Sequence, residues 1–330
     1  MGVFTPQKPL KSLFVLEEEV WHRLPPFIST NRLLPIFESL EEKKRKGEMK
    51  AKHNISKKRN PFNCIVIILT TLYIISITSI SLQAQQPISN DFSRTGECLS
   101  YTIYYKWGAL MPRAGDASLS FEKQDRGFRS RLLFRTAPFF DAIFSMRDTL
   151  DCNLDHKMRI VDGQKHVMEG GDYTMDLIHF SRQDNRNRIH TKRFRNGESR
   201  IDTVEITNQI SLDMIGAILY LRSTDWSKST KERIPVRIFA GKKGIDCFFQ
   251  YEGSEVQKTK KGINYHTHRV SMLINESETF KNPKKAITIW LTNDANRIPV
   301  RIRMELRIGA AEVYLKSAEG LRHPLSSRIR

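Results

Sequence analysis

From Val300 to Ile308 five apolar side chains, Val300, Ile302, Met304, Leu306 and Ile308, alternate with Arg301, Arg303, Glu305 and Arg307. A period of two belongs to a β-strand with one buried and one wet face; wound as a helix, the same residues would scatter around the whole circumference. The pattern recurs where Leu99, Tyr101, Ile103, Tyr105 and Trp107 alternate with Ser100, Thr102, Tyr104 and Lys106. Further strands are read at 117–121, 128–134, 147–152, 173–180, 188–195, 199–206, 234–240, 245–252, 255–260, 264–274 and 286–292, with Asn196-Gly197 as a hairpin turn. One segment breaks the rhythm: Met214, Ile215, Ile218, Leu219 and Leu221 recur at helical spacing, with Ser211 or Asp213 as the cap. Phe139 to Phe144 reads as a further apolar turn. About a dozen short strands and one short helix imply an all-β fold, mainly an antiparallel barrel, half-barrel or sandwich.

The strands follow a different kind of segment. Cys64 to Leu82 contains no charged residue, and as a helix its 19 residues would span about 28 Å, enough to enter a bilayer. Lys57, Lys58 and Arg59 precede it and Leu82-Gln-Ala84-Gln follows it, the layout of an exported chain with Ala84 as a cleavage point. Retention as an inner-membrane anchor is the alternative, since Leu82 is large for the small-x-small pattern. A start at Met49 gives a basic leader of ordinary length, so residues 1–48 are read as a mis-annotated extension, the competing reading being a disordered cytoplasmic tail after Met1. The expected organisation is therefore 49–84 signal peptide, 85–95 linker, 96–316 β domain and 317–330 basic, unpatterned tail. The expected location is the periplasm or the outer membrane.

The formal charge of +18 would suggest a nucleic-acid partner for a chain kept in the cytoplasm. Export argues against that. From Gln85 onward 41 lysines and arginines face 29 aspartates and glutamates, and this excess of 12 favours anionic lipid or glycan. Cys98, Cys152 and Cys247 fall in the same part, and their spacing leaves any pairing open.

A set of short motifs carries a family resemblance. Gly96-Glu97-x-Leu99-x-Tyr101-x-Ile103, Trp107-Gly108, Ala114-Gly115-x-Ala117, Glu169-Gly170-Gly171-x-Tyr173, and Asp213-Met214 through Tyr220-Leu221-Arg222 come first; Ile289-Trp290-Leu291-Thr292-x-Asp294 and Arg297-Ile298-Pro299-Val300 close the series. Together they resemble the bacterial domain of unknown function 3108 family over about residues 95–316, the closing segment being the most specific. The resemblance implies an envelope location and an all-β fold akin to the open barrels of lipoprotein carriers, and no established activity. Tyr265-His-Thr-His268 departs from the family pattern.

The candidate chemistry is sparse. His266 and His268 share one strand face and are spaced to place two imidazoles on a metal, yet no third ligand can be named, and a polar strand face is the ordinary account. Asp148, Asp151 and Glu169 are the acidic residues from which a glycoside-cleaving pair would be drawn, against the ordinary use of such residues in turns and ion pairs. Trp107 and Trp290 are candidate ligand-contacting rings, and Arg301, Arg303 and Arg307 form a one-sided basic stripe that would meet a phosphate or an anionic head group. Ser120-Phe-Glu-Lys123 matches Ser-x-x-Lys but sits in a strand and turn, not at a helix start. No cofactor is implied. The leading reading is a non-enzymatic envelope protein that binds an apolar or amphipathic component such as a lipid or lipoprotein. The alternatives are an envelope-glycan hydrolase and a scaffold without a small ligand.

Overall fold

The computed structural model describes residues 88–141, 145–169, 171–228, 233–274, 284–306 and 309–329. The extension, the segment Cys64–Leu82 and Arg307 lie outside the described residues. Sixteen strands are described: β1 Glu97–Lys106, β2 Arg113–Gln124, β3 Gly127–Thr136, β4 Met146–Leu154, β5 Ile160–Glu169, β6 Asp172–Gln183, β7 Arg186–Arg195, β8 Glu198–Thr207, β9 Ile210–Asp213, β10 Arg233–Phe239, β11 Gly244–Lys258, β12 Asn264–Ile274, β13 Lys284–Thr292, β14 Pro299–Glu305, β15 Ala310–Glu319 and β16 Arg328–Ile329. The helices are α1 Pro138–Asp141 and α2 Met214–Ser223.

Hydrogen bonding runs β8-β7-β6-β5-β4-β3-β2-β1-β15-β14-β13-β12-β11-β10-β9 in one continuous order. Every neighbouring pair is antiparallel except β9 with β10. The result is a nearly closed barrel. Its two free edges are β8 and β9, and β8 reaches across to β10 and β11 through a side chain. Glu205 on β8 accepts from Arg237 on β10, Nη2 to Oε2 at 2.8 Å, and from the Gly244 amide at 2.9 Å.

Because successive strands are antiparallel, the connections β1–β2, β3–β4, β5–β6, β7–β8, β10–β11, β12–β13 and β14–β15 stand at one end, here the hairpin rim. At the opposite end the two terminal segments clasp each other. Arg94 Nε donates to the Gly320 carbonyl at 2.9 Å, and Arg322 Nη1 to the Asn90 carbonyl at 2.5 Å. Asn296 Nδ2 donates to the His323 carbonyl at 3.0 Å, while β16 pairs with the start of β12. The residues expected as a basic, unpatterned tail thus form the end of β15 and a bonded strap, and Ile88 and Phe92 in the expected linker are buried.

The α2 helix crosses the barrel interior. Asp213 caps its N-terminus by accepting from the Gly216 amide at 2.5 Å, while Ser211 lies within β9. A Cβ on Gly216 would collide with Ile160 of β5, and one on Gly163 would lie 2.7 Å from Asp213 Oδ2, so both glycines let the helix start sit directly on the sheet. At the far end of α2 the buried Arg222 meets Glu97 of β1, Nη1 to Oε1 at 2.6 Å. It also donates to the Asn296 carbonyl at 3.2 Å and lies over the Phe92 ring at 4.7 Å.

Candidate functional site

The inner wall of the barrel has two characters. On β1, β13 and β14 the inward residues near the hairpin rim are Tyr105, Ile287, Ile302 and Met304, partly buried and packed against the core. Register places them together: Met304 pairs with Ile287, and Ile302 with Ile289. On β4 to β7 the inward positions carry charge. Asp148 stands opposite Val167, Lys165 opposite Leu150 and Asp176, and Asp176 opposite Arg193. These four charged residues are all buried.

Arg193 and Asp176 satisfy each other as a two-pronged pair, Nε to Oδ1 at 2.6 Å and Nη2 to Oδ2 at 2.9 Å. Asp148 differs. Only 2% of it is exposed, and neither carboxylate oxygen accepts a hydrogen bond from the described residues. Burial, opposed by Lys165 and reinforced by Glu169, pushes its pKa up to about 7. Burial likewise raises Asp213 to about 7 against the opposing pull of the Gly216 amide and the Cys152 thiol, and burial holds that thiol well above its usual range. Beside Asp213, a cavity of about 20 Å³ is bordered by Leu150, Lys165, Asp176, Ile178 and Phe239. That is room for about one water molecule.

The acidic candidates are thus divided. Asp148 and Glu169 face inward on neighbouring strands, whereas Asp151 faces the other way and is held by Arg131, Nε to Oδ1 at 2.7 Å and Nη2 to Oδ2 at 2.8 Å. Of the three acidic candidates, only Asp148 is a buried carboxyl with its pKa raised to about 7, with Lys165 and Glu169 as its charged neighbours. Such a group can receive a donor from a ligand or exchange a proton.

Trp290, Arg301 and Arg303 lie on the outer wall. Trp290, Arg301 and Tyr314 stand side by side across β13, β14 and β15, with Arg301 over the Trp290 ring at 4.5 Å and the Tyr314 ring at 5.4 Å. The stripe is engaged within the chain: Glu312, buried, receives Arg301 Nε at 2.9 Å and Arg303 Nη1 at 2.8 Å, and Arg303 also binds Glu305. The β11–β12 hairpin folds over this face after the bulge at Gly253. Glu255 accepts from the Trp290 indole, and Gln257 Oε1 from Arg301 at 3.3 Å. Trp107, expected as the last inward residue of the first strand, lies outside it, because β1 ends at Lys106 and Trp107 and Leu110 close a tight turn by exchanging backbone hydrogen bonds.

His266 is exposed, while His268 is buried against Tyr251 and Ser254, its Nδ1 3.2 Å from Ser254 Oγ, and burial lowers its pKa. No group of three or more His, Cys, Asp or Glu among the described residues is disposed to hold a metal ion. Cys98, Cys152 and Cys247 are not joined by disulfides.

Lys165, Asp176 and Arg193 are absent from the residues singled out in the sequence, where Asp213 figures only as a helix cap and a motif residue. The signal for two of them was available: Asp176 is in phase with the inward Ile178 and Phe180, and Arg193 with Ile189 and Thr191.

Residues 100–316 match the family described as "Protein of unknown function (DUF3108)". No curated protein matches the chain. Among solved structures, a β-barrel-like protein of domain of unknown function DUF1849 from Brucella abortus aligns with a TM-score of 0.49 at 8% identity, covering 70% of this chain and 100% of that one. A Bacteroides fragilis protein with a YmcC-like fold aligns with a TM-score of 0.26 at 10% identity, covering 69% and 97%.

Proposed function

The chain belongs to the DUF3108 family, and on that premise we propose that it is an exported, non-enzymatic envelope protein whose barrel mouth binds an amphipathic envelope component, a lipid or the acylated end of a lipoprotein. The observation that carries this reading is the split inner wall. Tyr105, Ile287, Ile302 and Met304 remain partly accessible although they point into the barrel, while Asp148 offers an unpartnered carboxyl in the same half. An apolar chain would cover the first set and a polar head would reach the second. Export is supported by the uncharged run Cys64 to Leu82 and its basic flank; periplasm, outer-membrane association and anchoring by that run are the compartments it allows. No helix among the described residues is long and apolar enough to cross a membrane.

The test is to isolate the full chain from its native envelope and identify the lipids that come with it by mass spectrometry, for the natural protein and for Met304→Glu. Bound lipid that disappears in the variant supports the reading. Absence of lipid from the natural protein would overturn it in favour of a scaffold, the reading favoured by the packing of α2 and the cavity of only about 20 Å³ beside it. A glycan hydrolase would instead require Asp148 and Glu169 to open into a cleft, and would show as glycan cleavage lost in Asp148→Asn.

A further inference from the structure

Eight large hydrophobic side chains are exposed among the described residues, and four of them sit on or next to three neighbouring connections of the hairpin rim. Trp107 is 60% and Leu110 62% exposed on the β1–β2 turn, Phe139 is 67% exposed on α1 between β3 and β4, and Met168 is 42% exposed at the end of β5. The other four, Leu133, Val204, Ile206 and Val256, are dispersed over strand faces. Exposed apolar residues gathered on loop tips at one end of a barrel mark a surface that something covers.

The charges around these tips say what kind of surface covers them. Lys106 precedes Trp107, and Arg113 follows the same turn. Lys260, at the tip of the β11–β12 hairpin, places Nζ 3.4 Å from Met111 Sδ and over the Tyr104 ring at 5.1 Å. Arg135 and Arg147 face each other across β3 and β4 just below Phe139. Against these five cations stand Asp116, bound to Arg113; Asp141, whose carboxylate binds Arg147, Nη1 to Oδ1 at 2.6 Å; and, on the turn beside Met168, Glu169 and Asp172, the latter held by a sixth cation, Arg195, Nη2 to Oδ2 at 2.7 Å, which leaves a formal excess of two positive charges. The rim is therefore apolar at its tips and cationic one step behind them. A bilayer interface with anionic head groups presents the complementary order, acyl chains inside and negative charge outside, and tryptophan is enriched at that level.

We infer that the rim bearing Trp107, Leu110, Phe139 and Met168 docks on the surface of an anionic lipid bilayer. The inference concerns the outside of the rim and holds whether or not the mouth takes up a lipid.

The test uses the full chain with vesicles of phosphatidylethanolamine and phosphatidylglycerol containing lipids brominated at a shallow acyl position. The part of the tryptophan emission lost in Trp107→Phe belongs to Trp107, so membrane contact elsewhere in the chain does not confuse the reading. The expected result is quenching of most of that part, with a blue shift. Both effects should fall when phosphatidylcholine replaces phosphatidylglycerol, and when Lys106, Arg135 and Arg147 are changed together to Gln. Trp107 emission untouched by brominated lipid but quenched by aqueous acrylamide would overturn the proposal. Emission shielded from both quenchers would overturn it too, by showing a protein on the rim.

Discussion

Arg222 at the end of α2 and Glu97 at the start of β1 form an ion pair from which water is almost wholly excluded, with Nη1 to Oε1 at 2.6 Å and Nη2 to Oε2 at 3.0 Å. The pair fixes the far end of the internal helix to the opposite wall of the barrel. Removing one partner leaves the other charge buried without compensation, so Arg222→Met or Glu97→Leu alone should cost about 3–5 kcal/mol. The double substitution should recover much of that loss, because two apolar side chains leave no stranded charge. Urea unfolding of the four proteins in this cycle measures it; a double variant that loses the sum of the two single losses would show that the pair does not act as a unit.

A second prediction follows from the two carboxyls raised to about 7, Asp148 and Asp213. In the unfolded chain an aspartate titrates near 3.9, so the folded protein holds these protons more tightly. The stabilisation this brings is complete below about pH 4 and is lost as the pH rises to about 7. Asp148→Asn keeps the neutral shape at every pH. Its stability relative to the natural protein should therefore rise between pH 4 and 8, by as much as about 4 kcal/mol from a displacement of about three pH units. Thermal unfolding against pH in both proteins reads this directly, and parallel curves would rule out a raised pKa at Asp148.

Strand alternation made most of the barrel legible, because in β1, β12 and β14 one face is apolar and the other polar. Beyond the short β9 and β16, two long strands escaped for opposite reasons. In β5 the inward positions include Gly163, Lys165 and Glu169, so charge occupies the face that usually identifies a strand. In β15 every residue from Ala310 to Leu315 is buried, since Val313 and Leu315 point into the barrel while Glu312 and Tyr314 lie under the folded hairpin. A strand covered on both faces has no period to read. The Arg301 and Arg303 stripe was visible, but its partner Glu312 sits on that unread strand, and so the stripe looked unengaged. The sequence marks Asp148 only as an acid; its isolation depends on β5, whose inward face carries no apolar period to read.

The glycine beneath the helix start gives a third prediction. A methyl group on Gly163 would lie 2.7 Å from Asp213 Oδ2 and 3.1 Å from its Cβ, forcing the capping carboxylate away from the Gly216 amide. Overpacking of this kind costs about 1–3 kcal/mol, and loss of the cap adds to it. Gly163→Ala should therefore be destabilised by at least the lower figure in chemical denaturation, whereas Gly171→Ala, with open space around its Cβ, should show only the smaller cost of its positive φ. A Gly163 variant as stable as the natural protein would mean that α2 does not rest on β5.

The seam beside the free edge β8 yields the last prediction. Glu205 joins β8 to Arg237 and to the Gly244 amide, and Arg237 also holds Asp246 with Nη1 to Oδ1 at 2.5 Å. All of these side chains keep substantial solvent contact, so Glu205→Ala should lower global stability by no more than about 1 kcal/mol. Its effect should be local. β8 has a hydrogen-bonded neighbour on one side only, β7, and most of its residues are exposed, so the Glu205 contacts are what hold its other side. Amide hydrogen exchange across 198–207 should therefore quicken in the variant, while exchange in β1 and β15, at the middle of the sheet order, should stay unchanged. Uniform acceleration throughout the barrel would instead mean that β8 opens only when everything does, and that the seam belongs to the cooperative core.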